Sequence, residues 1–295
     1  MMAGSTHYAA RPMTIFDLHC HSTASDGRLS PTDLVARAHE HGVSVLALTD
    51  HDTVAGHAEA ALAASACGLQ LVPGIELSTR WDKHTMHVVG LGVDPRNPVL
   101  LQHVEWLGEV RRQRARDMGA KLAKLGFTGV YEQALAEAGE AEPTRPHFAR
   151  ALVEAGHVQT EGEAFKRYLR RGKPGYATAA WPDLEQTIAV IREAGGMAVL
   201  AHPHGYGWTG AWVRRILEAF VGCGGEALEV VCGGSTPNDI RDMSGHARRF
   251  GLYASQGSDF HSPATPWIEL GRLAPMPADL KPVWQAPQVA AWLAA

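Results

Sequence analysis

The sequence is short of several things, and each shortage narrows the field. Its four cysteines (Cys20, Cys67, Cys223, Cys232) form no CxxC pair, so neither a disulfide framework nor a thiolate zinc site is expected. No window is long and apolar enough to span a membrane, and Met1 to Met13 lacks the apolar run of a signal peptide. The expected setting is therefore a reducing cytoplasm, with no membrane partner and no evident protein partner. Formal net charge is only −4 over 295 residues, which excludes a global basic field of the kind that drives non-specific duplex binding. A nucleic-acid substrate would need a local basic patch. There is no internal repeat and no low-complexity segment. What is abundant is histidine, with 16 residues, and imidazole is the commonest metal ligand among side chains.

The histidines are not scattered at random. In Phe16-Asp17-Leu18-His19-Cys20-His21 an extended strand would turn residues two apart to the same face, aiming Asp17, His19 and His21 at one point. Such a cluster is costly to bury without compensation, and a divalent metal is the usual compensation. Similar strand ends recur at Asp50-His51, Glu76, His87, His202 and Asp259-Phe260-His261. Asp26, in the turn-rich Ser22–Gly27 loop, sits where it can fold back over them. Cys20, between the two histidines, is expected to point the other way, into packing.

Between these points strands and helices alternate. Ile15–Leu18 reads as a strand, and Ser30-Pro31-Thr32-Asp33 carries the cap and first-turn residues of a helix start. His39 and His41 fall off that helix's apolar stripe, as solvated residues. Val43–Leu48 is an apolar run followed by an Ala-rich helix, which predicts a buried parallel strand; His57 in that helix reads as a surface residue. Leu69–Ile75 and His87–Gly92 follow as strands. From about Pro98 to Lys173 the rhythm breaks: a long helix spaces Leu101, Val104, Leu107, Met118, Leu122 and Leu125 at helical intervals and carries Arg111-Arg112-Gln113-Arg114-Ala115-Arg116. The alternation returns with strands at Met197–Ala201, Leu228–Val231 and Tyr253–Gln256. Seven strands with intervening helices predict an α/β fold with a parallel sheet and right-handed crossovers. In a closed βα barrel the active site lies at the C-terminal ends of the strands, where most of the candidate ligands fall. The expected divisions are a first barrel part (14–97), a helical insert serving as a substrate cap (98–174) and a second barrel part (175–295).

Asp17-Leu-His-Cys-His21, Thr49-Asp-His-Asp52, Gly74-Ile-Glu76, Ala201-His-Pro203 and Gly257-Ser-Asp-Phe-His261 resemble, in order, the motifs of the polymerase-and-histidinol-phosphatase (PHP) superfamily. The resemblance implies a distorted seven-stranded βα barrel with a helical insert and two or three divalent metals, manganese first, with zinc or iron as alternatives. Within it, Thr144-Arg-Pro-His-Phe-Ala-Arg150 and Gly172-Lys-Pro-Gly-Tyr176 resemble the phosphoesterases that remove the 3′-phosphate of nucleoside 3′,5′-bisphosphates, some of which trim RNA as 5′→3′ exoribonucleases. The alternatives are a histidinol-phosphatase-like or other small-molecule phosphatase or phosphodiesterase and, in a different class, a non-catalytic metal-stabilised or RNA-binding module.

Carried over residue by residue, the resemblance implies His19, His21, Asp26, His51, Glu76, His87, His202, Asp259 and His261 as metal ligands, with Glu76 as the bridge. Asp17 and Asp50 are expected to hold ligand histidines by the second ring nitrogen. The implied reaction is attack on phosphorus by a metal-bound hydroxide held by Glu76, Asp259 and His202. A bisphosphate needs a second anion site, for which Arg145, His147, Arg150 and Lys173 are candidates, with His204 nearer the metals and Tyr176 or a tryptophan against the base. The run Lys166-Arg167-Tyr168-Leu169-Arg170-Arg171 reads as a solvated helix face, and the Arg111–Arg116 run is left undecided.

Overall fold

The computed structural model describes residues 14–294; the leader-free reading of Met1–Met13 concerns residues outside that range. Seven strands, β1 (Phe16–Cys20), β2 (Val45–Leu48), β3 (Gln70–Trp81), β4 (His84–Leu91), β5 (Met197–Leu200), β6 (Ala227–Cys232) and β7 (Tyr253–Gly257), lie side by side in chain order. The ends of the sheet meet: Cys20 bridges Phe260, and the Asp259 amide donates to the His19 carbonyl at 2.8 Å. The result is a nearly closed barrel. Closure at this point depends on Gly257, where a Cβ would stand 2.3 Å from that of His19, a separation that only glycine permits.

The helices are α1 (Pro31–Glu40), α2 (His57–Cys67), α3 (Pro98–Lys124), α4 (Val130–Ala138), α5 (Arg145–Glu154), α6 (Glu161–Ala164), α7 (Leu184–Glu193), α8 (Gly210–Gly222), α9 (Pro237–Phe250) and α10 (Pro287–Leu293). Their starts follow local chemistry. Ser30 Oγ accepts from the Asp33 amide at 3.0 Å ahead of α1, and Asn97 Oδ1 accepts from Val99 and Leu100 ahead of α3, each satisfying amides that have no partner within the helix. Alternate residues of the strands go to different cores. Val45 and Ala47 of β2, with Met197 and Val199 of β5, pack with Val283, Ala286 and Val289; Leu46 and Leu48 pack against α1 and α2. The segment containing α10 thus plugs the barrel end opposite the histidines. Helices α3 to α6 share a separate core that includes Met118, Leu122, Phe148 and Leu152. No helix among the described residues is long and apolar enough to cross a membrane.

Three readings need correction. The sheet is not wholly parallel: β3 runs on past Ile75 to Trp81 and turns at Asp82 (φ 52°) and Lys83 into β4, which pairs antiparallel with both β3 and β5. A two-residue turn permits only an antiparallel return. Periodicity carries no direction, so the sequence did not reveal this. His57 is buried, with Nε2 2.7 Å from the Gly74 carbonyl. On α3 the buried face runs through Leu100, His103, Leu107, Arg111 and Met118, which leaves Leu101 and Leu125 exposed.

Candidate metal centre and active site

Six imidazoles and three carboxylates converge on the barrel mouth. Glu76, fully buried on β3, is the hub. One oxygen lies 3.3 Å from both His19 Nε2 and His21 Nε2 and 2.9 Å from His51 Nδ1; the other lies 3.0 Å from His87 Nδ1 and 2.9 Å from His202 Nε2. Asp259 Oδ1 is 3.2 Å from His21 Nε2 and 3.5 Å from His261 Nδ1, and Asp26 Oδ1 is 3.3 Å from His261 Nε2. All nine residues expected as ligands are therefore brought together. Two of them, His202 (φ 30°) and Asp259 (φ 54°), sit in left-handed backbone just past their strands, a conformation that costs non-glycine residues energy and clusters at functional sites.

The charge balance of this cluster is unusual. Burial alone would raise the Glu76 carboxyl, but the imidazoles of His51, His87 and His19 hold it well below the usual carboxylate range. Burial drives His51 down to about 4, outweighing its two neighbouring carboxylates. Yet His19 Nε2, both nitrogens of His21, His51 Nδ1, His87 Nδ1, Asp26 Oδ1 and Glu76 Oε2 are buried without a hydrogen bond. Buried polar atoms are almost always satisfied. Three groups of side chains, His21/Asp26/His51/His261, His19/His21/Glu76 and His51/Glu76/His87, each offer ligand atoms that lie within 4.8 Å of one another. Lone pairs without donors, converging at this spacing from nitrogen and oxygen, fit divalent cations. The donor set suits manganese, iron or zinc rather than calcium.

The residues expected to orient the histidines do something else. Asp17 accepts from the amides of Ser258 (2.8 Å) and Gly271 (2.9 Å), fixing the loop that carries Asp259 and His261. Asp50 accepts from the amide and hydroxyl of Ser22 and the hydroxyl of Ser25, fixing the loop that carries Asp26. Neither touches a ligand ring. Both lie at strand ends beside backbone amides left free by the turning chain, and an amide donor satisfies a carboxylate as well as an imidazole does. The carboxylate that does hold a ring is Glu229 on β6: it lies 2.8 Å from His19 Nδ1 and accepts from the His202 amide at 2.5 Å. Its signal in the sequence was a lone acid inside the apolar run Leu228–Val231, which burial tolerates only when it is paired.

Above the cluster opens a cavity of about 690 Å³ whose far wall is cationic, lined by Arg111, Arg114, Arg145, Arg170 and Arg171 beside Tyr176. Arg111 is almost fully buried; its Nε donates to Asp52 Oδ2 at 2.6 Å, its Nη2 lies 2.6 Å from the same oxygen and donates to Ser78 Oγ at 3.1 Å, and the group lies over Trp181. Arg114 donates to the Ala177 carbonyl at 3.2 Å and stacks over Tyr176 and Trp181. Burial, and then the nearby Arg145 and Arg111, push Arg114 down to about 9. Cations held this close without enough counter-charge mark a place for an anion.

Of the residues expected at the second anion, Arg145, Tyr176 and His204 border the cavity, whereas His147, Arg150 and Lys173 do not. His147 Nδ1 accepts from the Thr144 amide at 2.9 Å as part of a helix cap, and burial pushes it down to about 4. Arg150 donates to Glu137 and to the Asp26 carbonyl, so it braces the Asp26 loop. Lys173 is exposed. Arg170 and Arg171 are exposed, as the reading of that run expects, and also border the cavity. Cys20 is inert as expected: it is buried and donates to the Ala47 carbonyl.

A barrel whose mouth gathers nine side chains with nitrogen and oxygen donors able to hold metal, in a cavity also lined by arginines, fits a protein that binds divalent cations and an anionic substrate together. The chain belongs to the PHP domain family, whose profile matches residues 17–190. It is 45% identical over 270 residues to a 5′-3′ exoribonuclease of Haemophilus influenzae, covering 92% of this chain and 98% of that one. It is 42% identical over 274 residues to a 3′,5′-nucleoside bisphosphate phosphatase of Chromobacterium violaceum, covering 92% and 96%. A solved structure of an amidohydrolase from Chromobacterium violaceum, with bound sulfate and no metal, superposes with a TM-score of 0.89 at 41% identity, covering 95% and 97% of the two chains.

Proposed function

We propose that this protein is a metal-dependent phosphoesterase that hydrolyses the 3′-phosphate of nucleoside 3′,5′-bisphosphates and trims short RNA from its 5′ end. The observation that carries the reading is the cavity itself: a cluster of nitrogen and oxygen donors on one wall and, on the other, arginines that outnumber their one paired carboxylate, Asp52, a layout for two phosphates on one nucleotide. The substrate classes are those named for the Chromobacterium and Haemophilus relatives.

In this reading His19, His21, Asp26, His51, Glu76, His87, His202, Asp259 and His261 would hold two or three ions, preferably manganese, with Glu76 as the carboxylate they would share. When bound, such ions lower the pKa of water and neutralise the phosphoryl oxygens. The protein's own groups position the substrate. Arg111, Arg114 and Arg145 take the 5′-phosphate, Tyr176 flanks the base, and the 3′-phosphorus then lies at the histidines. No side-chain nucleophile is required. Cys232 borders the cavity, but burial pushes its thiol well up, and it donates to Glu229.

The same chemistry covers both substrates. Water adds to phosphorus and the P–O3′ bond breaks, whether the phosphate carries a proton or a downstream nucleotide. A nucleoside 5′-monophosphate leaves from the clamp, and any downstream chain keeps a new 5′-phosphate.

The test is phosphate release from adenosine 3′,5′-bisphosphate with added manganese, in the parent and in Glu76→Gln. Several kcal/mol of lost metal stabilisation corresponds to a loss of about 10³-fold in the variant. Good turnover of histidinol phosphate with none of the bisphosphate would overturn the assignment.

A further inference from the structure

The turn after β5, Pro203–Tyr206, divides two cavities. His204 borders both the one described above and a second groove of about 520 Å³ between α8 and α9. Trp208 lines this groove and stacks on Tyr206 at 4.4 Å with an interplanar angle of 22°, while Tyr206 lines the first cavity. An aromatic pair therefore connects the metal-facing cavity to the groove.

The groove is lined by three arginines, Arg214, Arg241 and Arg249, against two carboxylates, a net positive charge. Its two carboxylates are already engaged: Asp239 accepts from the Thr236 amide and hydroxyl at 2.9 and 2.6 Å, and Asp242 pairs with Arg241 at 3.2 Å. Arg214 and Arg249 have no ion pair among the described residues. Both line the groove, with His246 beside them.

Position supplies the remaining argument. The arginine clamp is anchored to Asp52, after β2, and Ser78, on β3. The groove follows β5 and β6, three strands further round a seven-stranded barrel, which puts the two on opposite sides of the mouth. An RNA with its 5′-phosphate in the clamp and its scissile phosphorus at the histidines continues away from the clamp. Single strands are bound by basic grooves that track the backbone and by aromatic rings that stack the bases.

We infer that the α8–α9 groove is the track for the downstream body of single-stranded RNA, with Trp208 stacking a base beyond the scissile phosphate and Arg214 and Arg249 on the phosphates that follow. This deepens the proposed function and rests on the substrate orientation given there. The clamp and metal cluster suffice for a mononucleotide; the groove serves only substrates longer than one residue.

The test compares adenosine 3′,5′-bisphosphate with a 5′-phosphorylated hexaribonucleotide, using the manganese-loaded full chain, the double variant Arg214→Ala/Arg249→Ala and Trp208→Ala, each first shown to unfold at the parent's temperature. Each variant is expected to lose about tenfold in kcat/KM on the hexamer, mostly through KM, within the range of base–aromatic stacking losses. Turnover of the bisphosphate should stay within about twofold of the parent's. For the double variant, the slope of log kcat/KM against log salt should become shallower by about 1.4, from two phosphate contacts at about 0.7 each. Equal responses of the two substrates, whether both unchanged or both lost, would overturn the inference. If the parent cleaves neither, the functional assignment fails by itself. Binding of labelled hexamer then decides the groove: tenfold weaker binding by the variants upholds the track, and undiminished binding removes it.

Discussion

At the barrel mouth, nitrogens and oxygens lie within hydrogen-bonding range of one another yet many make no bond; across the cavity, Arg111 and Arg114 are each tied to an oxygen of the protein. The two walls therefore solve different problems. The mouth is a set of lone pairs whose satisfaction comes from cations. The opposite wall is a set of positive charges anchored from behind, so that their forward faces are rigid and short of counter-charge. A group anchored in this way meets a phosphate without first losing side-chain entropy. On the proposed function, metal affinity would rest on Glu76 and its imidazoles and substrate affinity on α3 and its partners.

Breaking the anchored wall at its base should have the largest effect. Arg111→Met leaves the buried Asp52 with the Ser78 amide but no counter-charge and is expected to cost about 3–5 kcal/mol of stability, read by denaturant unfolding, along with affinity for the bisphosphate. Adding Asp52→Asn should restore most of the stability and none of the affinity. If it restored both, Arg111 would be structural only. The mouth is probed next: Glu229→Gln weakens the partner of His19 and should reduce manganese affinity or activity by about 10–100-fold, measured by metal titration, with KM for the bisphosphate little changed.

A smaller effect is expected from Arg114→Gln. Because burial and neighbouring cations disfavour its charge, replacement should leave stability equal to the parent's or higher, while KM for the bisphosphate rises about tenfold, typical of one lost charged contact. Inorganic phosphate should also raise the parent's melting temperature more than the variant's. The mildest change is in pH response. His147 is held near 4 by burial, against about 6.5 when unfolded. The unfolded state then binds more protons between these values, so stability falls as pH drops from 6.5 towards 4, by about 2 kcal/mol at pH 5. His147→Gln keeps an acceptor for the Thr144 amide and should flatten that slope; an unchanged slope would place the titration elsewhere.

The mouth was far more legible in the sequence than the opposite wall, and the reason is physical. Strand ends repeat a simple geometry, so His19-Cys20-His21, Asp50-His51 and Asp259-Phe260-His261 announce ligands locally. The direction of β4 left no such trace, because alternation is the same read either way. Arg111 and Arg114 looked like any basic helix face, since what buries them (Asp52, Trp181 and the Ala177 carbonyl) lies 59 to 70 positions away in one case and 63 in the other. Asp17 and Asp50 were rightly singled out as buried acids at the site, but their partners are backbone amides, which every residue type offers and no motif records. Glu229 carried the one signal passed over: an acid in an otherwise apolar strand.

The identity of the nucleotide product tests the central claim most directly. Metal-free protein is reconstituted with manganese, incubated with adenosine 3′,5′-bisphosphate, and the product is separated by chromatography. With the 5′-phosphate in the arginine clamp and the 3′-phosphate at the histidines, the product is adenosine 5′-monophosphate alone, and none forms before metal is added. Accumulation of adenosine 3′-monophosphate, or equal turnover by the metal-free protein, would contradict the account.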